Sequence, residues 1–93
     1  SKINLAITRS GSSILAELTN ANIPFVSVPL PSAAENHQLK NALYYKKRGF
    51  SFLIEEKDLN VKLAYLLVSV FKDNSKLVEI KKKQSQYSEN LLF

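Results

Sequence analysis

No cysteine occurs among the 93 residues. That excludes a disulfide framework and a thiolate metal site. A single histidine, His37, is present, and no carboxylate or thiolate stands near it at metal-ligand spacing. No metal or other cofactor is therefore expected. No internal repeat and no low-complexity linker divides the chain. The longest apolar run, Leu63 to Phe71 with one serine inside it, falls far short of the roughly 20 residues of a membrane span. No signal pattern opens the sequence. There is no G-x-G-x-x-G fingerprint, no Walker A run and no serine–histidine–acid order of a hydrolytic triad.

What is present reads as one globular domain. The composition is 45% hydrophobic and 23% charged, which is ordinary for a packed fold. A chain of this length buries roughly 60–65% of its unfolded surface, enough for one modest core. Net charge is +5, with clusters at Lys46-Lys47-Arg48 and Lys81-Lys82-Lys83. Such clusters attract acidic lipid, at about 1 kcal/mol per residue near an anionic surface. No aromatic residues interleave with them as a nucleic-acid groove requires. They are read as solvated helix faces, with no nucleic-acid partner and no clear membrane site.

The apolar pattern alternates between strands and helices. Ile3–Ile7 reads as a strand, then a helix from Ser13 to Ala21 turns Ile14, Leu15 and Leu18 inward. Asn20 or Asn22 closes that helix in a left-handed conformation. Phe25–Val28 is a second strand between prolines, and Asn36–Arg48 a second helix stopped by Gly49. Phe50–Ile54 is the third strand. Asp58 is placed to cap a helix with the clearest period in the chain: Leu59, Leu63, Leu66, Leu67, Val70 and Phe71. A lysine-rich helix to about Gln84 and a frayed tail, Gln86–Phe93, follow. The expectation is an α/β fold of three layers: a βαβαβα core over residues 1–72 and a C-terminal helix and tail over 73–93. The sheet has about three parallel strands with right-handed crossovers, a partial Rossmann-like arrangement.

The chemistry concentrates after the first strand, in Thr8-Arg9-Ser10-Gly11-Ser12-Ser13. A strand running into a Gly/Ser turn that opens a helix is how α/β proteins hold an anion. The glycine permits close backbone approach, and the helix N-terminus offers free N–H groups and a positive dipole end. Glu17 follows about one turn inside that helix. Further on stand Pro24, Val28-Pro29-Leu30-Pro31, and then His37-Gln38 with Asn41-Ala42.

In order and spacing these motifs resemble the C-terminal part of the MurG-like family of bacterial N-acetylglucosaminyltransferases, glycosyltransferase family 28. The resemblance covers nearly the whole chain and is clearest from Ile7 to Ile54. It implies the C-terminal half of a GT-B architecture, in which this domain holds a UDP-sugar donor. The opposite domain holds the lipid-linked acceptor and most catalytic groups, so no catalytic residue is expected here. The resemblance assigns Glu17 to the ribose hydroxyls, and Arg9, Ser10, Gly11, Ser12 and Ser13 to the uracil and diphosphate. Gln38 and Asn41 go to the donor sugar, with His37 beside them. A carboxylate suits a vicinal diol, and side-chain amides suit sugar hydroxyls because they donate and accept. Ile14 departs from the threonine that many members carry there.

The resemblance further implies that the chain begins inside the donor domain, as a truncated, inactive UDP-GlcNAc-binding part of peptidoglycan precursor synthesis. It would be cytoplasmic, peripheral at the inner face of the bacterial plasma membrane. Two alternatives stay open: a subunit that needs a separate acceptor-domain partner chain, and a non-catalytic remnant. An unpaired Ile3–Ile7 edge, with Leu91, Leu92 and Phe93, leads to the expectation of a homo-oligomer, most simply a dimer.

Overall fold

The computed structural model describes residues 4–31 and 36–91, with side chains to residue 87. Three parallel strands form the sheet in the order β1-β2-β3: Ala6–Thr8, Phe25–Ser27 and Phe52–Leu53. Ala6 pairs with Phe25, and Val26 with Phe52. Between them run α1 (Ser12–Asn20) and α2 (His37–Lys47); α3 (Leu59–Lys72) and α4 (Ser75–Leu91) follow. The chain advances one strand at a time in one direction. Right-handed crossovers therefore put α1 and α2 on the same face.

Alternation along β2 separates two cores. Phe25 faces Leu15 of α1, Tyr45 of α2 and Phe50, with Tyr87 of α4 packed against them. Val26 and Val28 face Ile54, and Leu59, Leu63 and Leu66 of α3 close over them. The expected three layers are thus present. Tyr45 sits among Phe25, Phe50 and Tyr44 in edge or tilted ring contacts. Burial, more than its tyrosine neighbours, raises its phenol pKa above the ordinary value.

Several element bounds differ from expectation. β1 covers Ala6–Thr8 instead of Ile3–Ile7; Leu5 lies before it and packs on the second core, and Ile3 is outside the described residues. β3 is two residues long, because Phe50 turns away to the first core against Tyr87. Asp58 makes no side-chain cap to α3. A 3₁₀ turn at Glu56–Asp58 leads into that helix, and Asp58 pairs with Lys62 at 3.4 Å. The period of α3 is real but packs mainly in its first half, where Leu59, Leu63 and Leu66 meet the second core, with Val70 half-buried beyond them. Leu67 is 42% and Phe71 92% exposed. A helix of 14 residues spans about 21 Å, whereas strands of two or three residues extend about 10 Å. The helix outruns the sheet beneath it.

The tail also differs. Residues from Gln86 on, expected to fray, continue α4 to Leu91. Leu77, Ile80 and Gln84 of that helix are buried. The expected terminal contacts of Leu92 and Phe93 fall outside the described residues. Asn22 and Gly49 both have positive φ, 60° and 79°, as helix ends require.

Candidate functional site

The carboxyl ends of all three strands open on one side of the sheet. This is the position where open parallel sheets take their ligands. β1 leads to Arg9–Gly11, β2 to Pro29–Pro31 and β3 to Glu55–Glu56. Between the last two lies a cleft of about 220 Å³, lined by Pro29, Leu30, Pro31, Leu39, Glu55 and Glu56 among others.

Gly11 precedes α1 with φ −66° and ψ 138°, and among the described residues no side chain caps the helix. Within those residues the first N–H groups of α1 are left for solvent or a ligand. Ser12 and Ser13, in this first turn, are exposed, as is Glu17 one turn on. The Glu17 side chain has no hydrogen bond or ion pair among the described residues, which leaves its carboxylate available. Ile14 is 38% exposed beside Gly11.

Ser10, Gln38 and Asn41 meet directly. The Gln38 Oε1 accepts the Ser10 N–H at 3.3 Å and the Leu30 N–H at 2.8 Å. The Asn41 Nδ2 donates to the Ser10 carbonyl at 3.1 Å. Ser10 is fully buried, and its Oγ has no partner among the described residues. His37 is the exposed first residue of α2, next to this junction in the chain.

Arg9 turns elsewhere. Its guanidinium pairs with Glu56 at 2.6 Å, both side chains about half exposed. Sequence reasoning missed this partner and the adjoining cleft. The signal available was the acidic pair Glu55-Glu56 directly after the third apolar run, at a strand's carboxyl end.

The basic clusters divide. Lys46 and Lys47 are exposed on α2, as read. Lys81 instead donates to the Asn22 carbonyl at 3.0 Å and closes the α1–β2 turn. Among the described residues no group of acidic or histidine side chains forms a metal site. No helix among them is long and apolar enough to cross a membrane.

A parallel sheet with a helix N-terminus at its carboxyl end and a carboxylate one turn further makes an α/β domain, and its likeness to the solved structure described below places it in the GT-B class. The chain belongs to the glycosyltransferase family 28 C-terminal domain family, whose model matches residues 1–91. It is 42% identical over 83 residues to a UDP-N-acetylglucosamine–N-acetylmuramyl-(pentapeptide) pyrophosphoryl-undecaprenol N-acetylglucosamine transferase of Pelagibacter ubique. That match covers 88% of this chain and 23% of the relative. A relative of the same name from Anaeromyxobacter is 46% identical over 56 residues, covering 60% of this chain and 15% of its own. The crystal structure of Acinetobacter baumannii MurG superposes with a TM-score of 0.76 at 26% identity, over 90% of this chain and 25% of that one. The chain thus spans a quarter or less of the length of these relatives.

Proposed function

We propose that this chain binds UDP-N-acetylglucosamine as the donor-holding part of an inverting N-acetylglucosaminyltransferase of lipid-linked peptidoglycan precursor synthesis. The observation that carries this reading is the junction of Ser10, Gln38 and Asn41. It brings the anion-receptive turn and the start of α2 together at the carboxyl end of the sheet. In this reading the Arg9–Ser13 turn receives the uracil and diphosphate, Arg9 through its backbone while its guanidinium pairs with Glu56, and Glu17 accepts hydrogen bonds from the ribose hydroxyls. His37, Gln38 and Asn41 flank the sugar.

The leaving UDP is stabilised electrostatically from this side. The base that activates the acceptor hydroxyl belongs to the opposite wall of the cleft. That wall comes either from the rest of a family-type enzyme or from a separate partner chain. The setting is the cytoplasm, at the inner face of the membrane where a lipid-linked acceptor resides. The 93 residues by themselves transfer no sugar, because holding both reactants in register supplies about 7–11 kcal/mol in well-oriented systems. Transfer to a lipid-linked acceptor by the purified chain would contradict this.

Binding is tested by titrating UDP-N-acetylglucosamine while following amide spectra and melting temperature. Shifts centred on residues 9–13 and 17, with a dissociation constant of about 1 mM, are expected. No response at saturating millimolar ligand would favour the reading of a non-catalytic remnant.

Self-association belongs to the same reading. β1 pairs only with β2 among the described residues, and Ile7 is 49% exposed. A second copy joined along this edge makes a two-fold dimer. Light scattering over a dilution series should show the dimer, and Ile7→Lys should dissolve it. Leu5 is unsuitable for this test, because it packs in the second core.

A further inference from the structure

The two amides at the start of α2 grip the backbone of one residue. Gln38 holds the Ser10 N–H and Asn41 holds the Ser10 carbonyl. They stand three residues apart on the helix and so share a face. Because the peptide group is planar and trans, its C=O and N–H point in opposite directions. Holding the Ser10 carbonyl therefore also sets the direction of the Gly11 N–H. Holding the Ser10 N–H likewise sets the Arg9 carbonyl. The same Gln38 oxygen also takes the Leu30 N–H, at 2.8 Å. One side-chain atom thus ties the turn after β1 to the loop after β2. The Gln38 oxygen is already occupied by two backbone donors, and one Asn41 N–H by a carbonyl. Neither is available to a sugar hydroxyl while these bonds stand.

We infer that Gln38 and Asn41 are positioning residues: they fix the peptide groups on either side of Ser10 and couple the Arg9–Ser13 turn to the Leu30 loop as one unit. This deepens the donor-binding reading and rests on it for the identity of the ligand. The role differs from direct sugar contact in what it predicts for a ligand without a sugar. A positioning pair affects UDP and UDP-N-acetylglucosamine alike. A sugar-contacting pair affects only the second.

The experiment has two arms on the full 93-residue chain. The first is amide hydrogen exchange. In the parent, the Ser10 and Leu30 amides should open together, with the same protection. Gln38→Met, which keeps length and loses the acceptor, should speed exchange at both about tenfold or more. Gln38→Glu, which keeps an acceptor oxygen, should restore both. Unequal protection in the parent, or exchange at Ser10 unmoved by Gln38→Met, overturns the coupling. The parent measurement stands even where a variant fails to fold.

The second arm titrates UDP and UDP-N-acetylglucosamine against the parent, Gln38→Met and Asn41→Leu. Equal weakening of both ligands, about tenfold, is expected. A loss confined to UDP-N-acetylglucosamine assigns the amides to the sugar and overturns the inference. If the parent binds neither ligand, the donor reading fails by itself, and the exchange arm still decides whether the amides couple the two loops.

Discussion

At the amino end of the strands, Gly49 has φ +79°, and a Cβ there would lie 2.6 Å from the Lys83 Cδ. At the carboxyl end, Gly11 has φ −66°, and its Cβ would meet only the Ile14 Cγ2, at 3.8 Å. Gly49 is required by the backbone. Gly11 is not; any residue adopts its conformation, and there is room for a side chain.

The backbone polar groups differ in the same sense. At the amino end, the buried Gln84 donates both hydrogens of its Nε2, to the Ile23 carbonyl at 2.8 Å and the Phe50 carbonyl at 2.9 Å. At the carboxyl end, the first N–H groups of α1 have no side-chain cap among the described residues; buried side-chain atoms without a partner occur at both ends, Ser10 Oγ at this one and Gln84 Oε1, Ser51 Oγ and Asn22 Oδ1 at the other. One end is closed on itself by α4. The other leaves the start of α1 and a cleft between the β2 and β3 loops open.

Five substitutions follow from this contrast and its cores, in order of expected effect. Gln84→Leu strands two buried carbonyls, each costing about 1–3 kcal/mol. It should destabilise the fold by about 2–4 kcal/mol in chemical denaturation. UDP affinity of the folded fraction should be unchanged, and a direct loss of affinity would show that the two ends are coupled.

The glycine pair should give opposite signs. Gly49→Ala is expected to cost about 1–2 kcal/mol, mainly from the left-handed backbone, since the flexible Lys83 side chain can shift. Gly11→Ala should leave stability equal or raise it by about 0.4–1 kcal/mol through the unfolded state, while weakening UDP binding. Destabilisation by both alanines would erase the distinction drawn here.

Glu17→Ala should leave the denaturation midpoint within about 0.5 kcal/mol, as an exposed position allows. It should weaken UDP about tenfold, or 1.4 kcal/mol, and leave a 2′,3′-dideoxy analogue unaffected. Equal losses for the two ligands would move the carboxylate away from the ribose.

The smallest effect concerns pH. Tyr45 has a raised folded-state pKa through burial, so its stabilising contribution is complete below the unfolded phenol value of about 10 and is lost as pH rises through the folded value. Stability should fall above about pH 10, and Tyr45→Phe should flatten that part of the profile. Identical alkaline slopes for the two proteins would remove Tyr45 as the cause.

Much of the carboxyl end was legible in the chain because its signals are local. The Gly/Ser turn after an apolar run, a helix start and a carboxylate one turn on all fall within residues 8–17. Gln38 and Asn41 were legible as amides near a helix start. Their hydrogen bonds to Ser10 were not, since those partners lie 28 and 31 residues away. The amino end was largely hidden. Gln84 reads as one more polar residue in a lysine-rich helix, and only the open carbonyls of Ile23 and Phe50 draw it inside. Arg9 showed its charge but not its partner Glu56, because ion pairing between strand-end loops follows from strand order.

The sequence by itself determined the alternation of strands and helices, the left-handed stops at Asn22 and Gly49, and the start of a helix directly after the first strand. These depend on period and backbone freedom within a few residues. Tertiary structure alone decided where the strands end, how much of α3 finds a sheet to cover, and which atoms of Gln38, Asn41 and Gln84 are already taken. Those outcomes depend on buried backbone groups distant in the chain, each of which must find a hydrogen-bond partner once water is excluded.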